Sequence, residues 1–185
     1  MSSTAVWLLD IDGVINACPR NRSPFPSAWP QGHWIDTKVT NRHSDTPWPI
    51  LAAEDVVAFI NRVDDEGLAT ILWHSTWSDE SNKVGEAVGL HPFGVLPAPE
   101  HEGWTKGARG WWKLPGAQRA LRDNIGHLVW TDDDACHPDM SKDERRLFRD
   151  AGALLVAPNP TQGLVQANLD RIWHYLTGNQ EEVAA

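Results

Sequence analysis

The chain has 185 residues, a formal net charge of −9 and 41% hydrophobic residues, which is typical of one globular domain, here residues 1–177 with a short tail at 178–185. No apolar run approaches the roughly 18 residues of a membrane-spanning helix. The acidic balance argues against broad binding to long nucleic acids, which depends on neutralising phosphates. The two cysteines make no disulfide framework, and the first residues do not resemble a signal peptide. We therefore expect a cytoplasmic protein with no membrane association and no obligate protein partner.

Apolar runs alternate with amphipathic segments along the chain. In chain order the sequence predicts strand 5–9, helix 52–66, strand 69–73, helix 79–88, strand 93–96, helix 111–123, strand 127–131, helix 141–150, strand 153–157 and helix 162–176. Ser78 and Thr161 are expected to cap the second and fifth helices, and Ser141 with Glu144 forms a capping-box pattern before the fourth. This alternation predicts an α/β fold with a parallel central sheet.

One long irregular segment, residues 17–49, separates the first strand from the first helix and holds six of the thirteen prolines. Such a loop is usually functional or a lid. We expect a small hairpin within residues 33–40. Cations and aromatic residues such as Arg42 and Trp34 are interleaved here, a combination that can bind a phosphate and stack a base. The alternative is a proline-stiffened flap packed by its own aromatic side chains.

Acidic and hydroxyl side chains follow the predicted strands. Because ligands of a parallel sheet bind at the carboxyl ends of its strands, these groups should meet in one pocket. The members are Asp10 and Asp12 after the first strand, Ser75 or Thr76 after the second, Asp132 and Asp133 after the fourth, and Lys113 at the start of the third helix. Clustered carboxylates repel one another unless a cation intervenes. An all-oxygen cluster of this kind suits Mg²⁺.

The order of these groups resembles the four motifs of the haloacid dehalogenase (HAD) superfamily. Asp10-Ile11-Asp12-Gly13-Val14 resembles motif I, Ser75 motif II, Lys113 motif III and Trp130-Thr131-Asp132-Asp133 motif IV. The segments Trp111-Trp112-Lys113-Leu114-Pro115 and Trp130-Thr131-Asp132-Asp133-Asp134 also resemble a HAD group associated with predicted Swiss Army Knife RNA repair proteins. The resemblance implies a Rossmannoid three-layer fold in which residues 17–49 form a flap or minimal cap.

The resemblance further implies a Mg²⁺-dependent phosphomonoester hydrolase. Asp10 would attack phosphorus and form an aspartyl-phosphate, and Asp12 would act as general acid and base. The metal would be held by Asp10, the Asp12 carbonyl and Asp133, while Asp132 orients Lys113 or a metal-bound water. Lys113 and Ser75, or neighbouring Thr76 in place of Ser75, would bind the phosphoryl group. The substrate would be a phosphorylated molecule such as a nucleotide or a nucleic-acid end.

Several alternatives remain open at the level of sequence. Thr76 competes with Ser75 for the motif II position, and Lys106 competes with Lys113 for motif III. A HAD phosphotransferase, or a non-catalytic or receiver-like domain that binds Mg²⁺ and phosphate, would also gather such residues. We interpret His74, Cys136 and His137 as structural, because no zinc-type spacing links them. Cys18 lies near motif I without an evident base partner.

Overall fold

Strands and helices alternate in the computed structural model, which describes residues 4–21, 25–40, 46–96, 112–124, 127–135 and 140–178. The strands are β1 (Ala5–Leu9), β2 (Trp34–Val39), β3 (Trp48–Ala53), β4 (Ala69–Trp73), β5 (Gly94–Val95), β6 (Leu128–Thr131) and β7 (Leu154–Val156). The α-helices are α1 (Glu54–Asp65), α2 (Ser81–Val88), α3 (Lys113–Asp123), α4 (Lys142–Asp150) and α5 (Gln166–Leu176). No helix of the described residues is long and apolar enough to cross a bilayer. From residue 179 onward, the predicted tail lies outside the described residues.

The central sheet has five parallel strands in the order β5-β4-β1-β6-β7. The predicted α/β class and parallel sheet are therefore confirmed. All five strands of this sheet were predicted, β1 and β4 with the observed bounds and the others one or two residues too long. The register pairs Leu9 of β1 with Trp73 of β4 and with Thr131 of β6. The carboxyl ends of the three central strands consequently lie side by side.

Alternating side chains of β1 divide the core between the two faces of the sheet, as the pleat requires. Trp7 and Leu9 join one apolar cluster with residues of α1, α2 and α5, whereas Val6 and Leu8 join another with residues of α3 and α4. Helices thus cover both faces, giving three layers. Burying each large side chain contributes roughly 2 kcal/mol to stability, so both faces anchor the strand that ends at Asp10.

The segment between β1 and α1 differs from the prediction. Residues 33–40 do not form a hairpin of their own; β2 pairs in antiparallel register with β3, which lies beyond residue 45. The buried residues Ile50 and Ala52 of β3 belong to the core, and β3 runs directly into α1. The first helix therefore begins at Glu54 rather than at residue 52.

Helix starts show which capping predictions hold. Ser141 caps α4 in the predicted capping box, accepting from the Glu144 amide at 3.1 Å. Ser78 does not cap a helix; it has φ 51° and begins a short 3₁₀ turn before α2. Thr161 does not cap α5 either, because the helix begins at Gln166 and the Asn168 side chain accepts from the Val165 amide.

The loop between β7 and α5 holds the segment that follows β1. The Leu164 amide donates to the Val14 carbonyl at 2.9 Å, and the Cys18 amide donates to the Pro160 carbonyl at 2.8 Å. The Trp29 indole also donates to the Leu164 carbonyl at 2.9 Å. A loop close to the end of the described chain therefore fixes the turn that follows the first strand.

Candidate active site

Asp10 and Asp132 are the first residues after β1 and β6, respectively. The Asp10 amide donates to the Thr131 carbonyl at 3.1 Å, which continues the register of the two strands. By the alternation of β1, the Asp10 side chain lies on the face of Val6 and Leu8, the face that α3 covers. Both carboxylates are buried and face the same helix.

Lys113, the first residue of α3, neutralises part of this charge. Its Nζ lies 2.6 Å from Asp10 Oδ2 and 2.6 Å from Asp132 Oδ2, and its side chain is buried. Burial by itself lowers the pKa of Lys113, but the charges and hydrogen bonds of the two aspartates raise it to a net value above the ordinary one. The lysine is therefore a permanent cation that joins the two strand ends.

Asp133 completes a cluster of three carboxylates. Asp10, Asp132 and Asp133 each offer an oxygen, and these oxygens all lie within 4.8 Å of one another. Burial, and then the charges of Asp10 and Asp134, raise the pKa of Asp133 to about 6. Burial and the charge of Asp10 also raise the pKa of Asp132 well above its ordinary value, against the opposing effect of Lys113.

This donor set fits a hard divalent cation. One ammonium does not balance three carboxylates, and after burial the charge of Asp10 is the next largest cause that raises the pKa values of Asp132 and Asp133. All the ligand atoms are oxygens, which Mg²⁺ prefers over softer donors. A buried cluster of Asp10, Asp132 and Asp133 that can hold a metal ion is therefore present.

Gly13 makes room for Asp133. Its φ is +77°, in the left-handed region that glycine adopts without strain, and a Cβ at this position would lie 2.6 Å from Asp133 Cγ. The glycine of the first motif thus has two roles, since it permits the turn after β1 and the close approach of the acid that follows β6.

The carboxylate of Asp12 is not one of the three that form this cluster. Its Oδ1 accepts from Asn16 Nδ2 at 2.8 Å, and its Oδ2 accepts from the Trp77 indole at 3.0 Å. Burial raises the pKa of Asp12, although hydrogen bonds from Asn16, Trp77 and Trp48 counter that effect. Neither Asn16 nor Trp77 was predicted as a site residue. Asn16 lies four residues after Asp12, a spacing that offered a signal, whereas Trp77 offered none.

Ser75 and Thr76 follow β4, the strand beside β1. Ser75 is buried and its Oγ lies 3.5 Å from the Trp77 amide, whereas Thr76 is exposed. The preceding residue is held at the end of β1, because the His74 amide donates to the Leu9 carbonyl at 2.9 Å. Of the two hydroxyls, Ser75 is therefore the one packed into the edge of the sheet that carries Asp10.

His74 supports the start of α3. Its Nε2 lies 2.9 Å from the Lys113 carbonyl oxygen, and its ring packs against Trp112 and Trp130. A Cβ on Gly116 would lie 2.9 Å from His74 Cε1, so the helix approaches this ring closely. Burial, and then the nearby charge of Lys113, lower the pKa of His74 to about 4. His74 is thus a neutral packing residue beneath the helix that carries Lys113.

Trp34, a predicted substrate-binding residue, is not part of this constellation. Trp34 is half-buried and packs against the core and against Phe25, with ring centroids 6.4 Å apart. Cys18 is exposed, and its Sγ donates to the Asn16 carbonyl. Arg42, Lys106, Cys136 and His137 lie outside the described residues.

Comparison with known proteins adds no family assignment. The chain matches no model of a known protein family, and no curated protein matches it significantly.

Proposed function

We propose that the protein is a Mg²⁺-dependent phosphomonoester hydrolase of the HAD type, with Asp10 as its nucleophile. The observation that carries this proposal is the position of Lys113 Nζ, 2.6 Å from both Asp10 and Asp132 at the ends of adjacent parallel strands. Ion pairs with a purely structural role also occur in protein cores. Here, however, a third carboxylate, that of Asp133, lies beside the two acids that bind Lys113. Such concentrated, partly unbalanced charge is typical of a catalytic site.

Asp10 is proposed to attack the phosphorus atom of the substrate. A bond forms between an Asp10 carboxylate oxygen and phosphorus, the bond from phosphorus to the leaving oxygen breaks, and an aspartyl-phosphate results. Water then attacks this phosphorus, releasing inorganic phosphate and restoring the carboxylate. Splitting the displacement into two steps makes each one easier.

Asp12 is proposed to move the proton in both steps. It would donate a proton to the leaving oxygen and later accept one from the attacking water. Its raised pKa supports this role, because burial makes the protonated form more accessible at neutral pH than in an exposed aspartate. Such acid–base help typically accelerates a reaction by ~10²–10⁴-fold.

Lys113 and Ser75 are proposed to bind the phosphoryl group. Lys113 provides a fixed positive charge beside Asp10, which reduces repulsion between the nucleophile and the anionic substrate. Ser75 provides a hydroxyl donor from the neighbouring strand end. Asp132, at the end of β6, holds the Lys113 ammonium in place.

The carboxylates of Asp10 and Asp133 and the carbonyl of Asp12 are the proposed Mg²⁺ ligands, with Asp132 close enough to take part. When bound, the ion neutralises phosphoryl oxygens and orients them for in-line attack. Asp132 also keeps Lys113 beside the site, so the resident cation and the metal would share one set of acids.

Hydrolysis of p-nitrophenyl phosphate tests the proposal. We expect activity with Mg²⁺, none with EDTA, and none in Asp10→Asn. Asp150→Asn, at an exposed position at the end of α4, is the matched control and should retain wild-type activity. Full activity in Asp10→Asn contradicts the assignment of the nucleophile. A stable aspartyl-phosphate without turnover would instead indicate a receiver-like domain, and transfer to an added alcohol in preference to water would indicate a phosphotransferase.

A further inference from the structure

Trp48, the first residue of β3, has an exposed indole side chain and lies in the two-stranded sheet of β2 and β3. Its relative exposure is 49%, and among the described residues only Leu147 of α4 is a comparably exposed large hydrophobic side chain. Scattered exposed apolar residues are normal on proteins and carry no meaning by themselves. What distinguishes Trp48 is its position next to the carboxylate of Asp12.

Asn16 ties the start of β3 to Asp12. Its Nδ2 donates to Asp12 Oδ1 at 2.8 Å and lies 3.3 Å from the carbonyl oxygen of Pro49, the residue after Trp48. Its Oδ1 accepts from the Leu51 amide at 2.8 Å. The Trp48 side chain also lies close enough to the Asp12 carboxylate to lower the pKa of Asp12. Asn16 therefore holds the backbone next to Trp48 beside Asp12.

The proposed chemistry gives this neighbourhood a meaning. If Asp12 protonates the leaving oxygen, that oxygen lies within hydrogen-bond distance of Asp12. The rest of the leaving group then begins within a few ångströms of the Trp48 ring. An exposed indole on a strand whose backbone is held in place can stack a planar ring with little further loss of conformational freedom.

We propose that Trp48 is a stacking surface for an aromatic ring carried by the leaving group of the substrate. The inference rests on the proposed function and narrows its substrate class to phosphomonoesters that carry a planar ring. The ring would be attached either directly, as in an aryl phosphate, or across a sugar, as in a nucleoside monophosphate. Trp34, the aromatic residue that the sequence favoured for this role, is packed against the core instead.

Paired ligands that differ only in the ring test this proposal. We would measure by calorimetry, with Mg²⁺ present, the affinity of the Asp10→Asn protein, in which no ligand is hydrolysed, for adenosine 5′-monophosphate and for ribose 5-phosphate; the variants below are made in the same background. The Asp10→Asn protein should bind the nucleotide at least about fivefold more tightly, since stacking on one aromatic side chain is typically worth that much or more. Trp48→Ala should bring this ratio close to one, whereas Trp48→Phe should keep most of it.

The ratio separates stacking from support of Asp12, because a variant that merely disturbs Asp12 weakens both ligands equally. Leu147→Ala removes an equally exposed apolar side chain and should leave the ratio unchanged. A ratio near one in the Asp10→Asn protein, or a ratio that adding Trp48→Ala does not change, contradicts the proposal. Phenyl phosphate compared with glycerol phosphate in the same titrations shows whether a directly attached ring is preferred.

These measurements do not depend on turnover. Absence of hydrolysis in the wild type would contradict the proposed function, while a ring preference that Trp48→Ala removes would still support the stacking surface. Conversely, hydrolysis without any preference for an aromatic ring would preserve the proposed function and overturn the role of Trp48.

Discussion

Lys113 Nζ donates to Asp132 Oδ2 at 2.6 Å, and the Asp132 side chain is completely buried. A buried carboxylate that loses its cation strongly destabilises the folded state, since neither water nor another cation then compensates its charge. The pair consequently links the chemistry of the site to the stability of the fold.

Removing this cation should therefore affect stability and activity together. We expect Lys113→Met to lower the free energy of unfolding by about 3–5 kcal/mol and activity by at least about 100-fold. Adding Asp132→Asn should restore part of the stability, because fewer buried charges remain unpaired, but not the activity. Denaturant unfolding and phosphatase assays measure the two effects. Lys142→Met, at an exposed position, is the control; equal effects of both lysine substitutions would argue against the buried pair.

Metal affinity should depend on pH through Asp133. The pKa of this carboxyl is raised to about 6, so in the metal-free protein it is protonated below that pH and ionised above it. Mg²⁺ must displace the proton at low pH. We expect affinity measured by calorimetry to be maximal above about pH 7 and to fall up to tenfold per pH unit below 6. Asp133→Asn should abolish specific binding of Mg²⁺. A Mg²⁺ affinity that does not change between pH 5 and 7.5 would contradict the assignment.

Gly13 should be required for the metal site rather than for folding alone. Gly13→Ala places a methyl group 2.6 Å from Asp133 Cγ at φ +77°, whereas Gly89→Ala, at φ +87°, meets nothing within 4 Å. Both changes impose backbone strain of about 1 kcal/mol. Only Gly13→Ala should also lose Mg²⁺ binding. Comparable metal affinity in the two variants would mean that Asp133 moves aside without consequence.

His74 should remain neutral in mildly acidic solution. Its pKa in the folded protein is about 4, below the ordinary 6.5, so the unfolded chain takes up the proton first as pH falls. The stabilisation from the neutral ring is therefore complete above about pH 6.5 and is lost between 6.5 and 4, at up to about 1.4 kcal/mol per pH unit.

NMR titration of the His74 ring measures this pKa directly. Because the raised pKa values of the site carboxylates act in the opposite direction, the stability effect is best taken as the difference between the wild type and His74→Asn. That difference should shrink as pH falls from 7 to 4.5. A His74 ring that titrates near 6.5 would contradict its burial beneath α3.

The arrangement of acids could be predicted because parallel topology brings the carboxyl ends of neighbouring strands to one edge. The apolar runs before Asp10 and Asp132 were sufficient to predict those strands, and the structure places both acids beside Lys113. The cap of α4 was equally accessible, since Ser141 and Glu144 satisfy each other locally. Features that depend on a few neighbouring residues were thus readable from the sequence.

The pairing of β2 with β3 was not predictable in the same way. The partner of β2 begins nine residues beyond its end, at Trp48, and no local turn signal identifies that pairing. In the sequence Trp34 and Trp48 are two tryptophans of the same irregular segment. In the structure Trp34 packs against the core and Trp48 is exposed. Tertiary contacts make this difference: Trp34 packs against the core, whereas the contacts of Asn16 with Pro49 and Leu51 hold the start of β3 beside Asp12. Residues whose role depends on such distant contacts have no signature in the sequence.

The loop between β7 and α5 also has a consequence for the order in which a growing chain can fold. The segment that follows β1 depends on this loop for three hydrogen bonds. Cys18 bonds to Pro160, whereas Val14 and Trp29 bond to Leu164. A nascent chain that ends before residue 159 therefore contains every proposed catalytic residue but lacks the partners of that segment. Since domains fold as units once their distant contacts are available, the site should mature only after the ribosome has released the segment that carries Leu164.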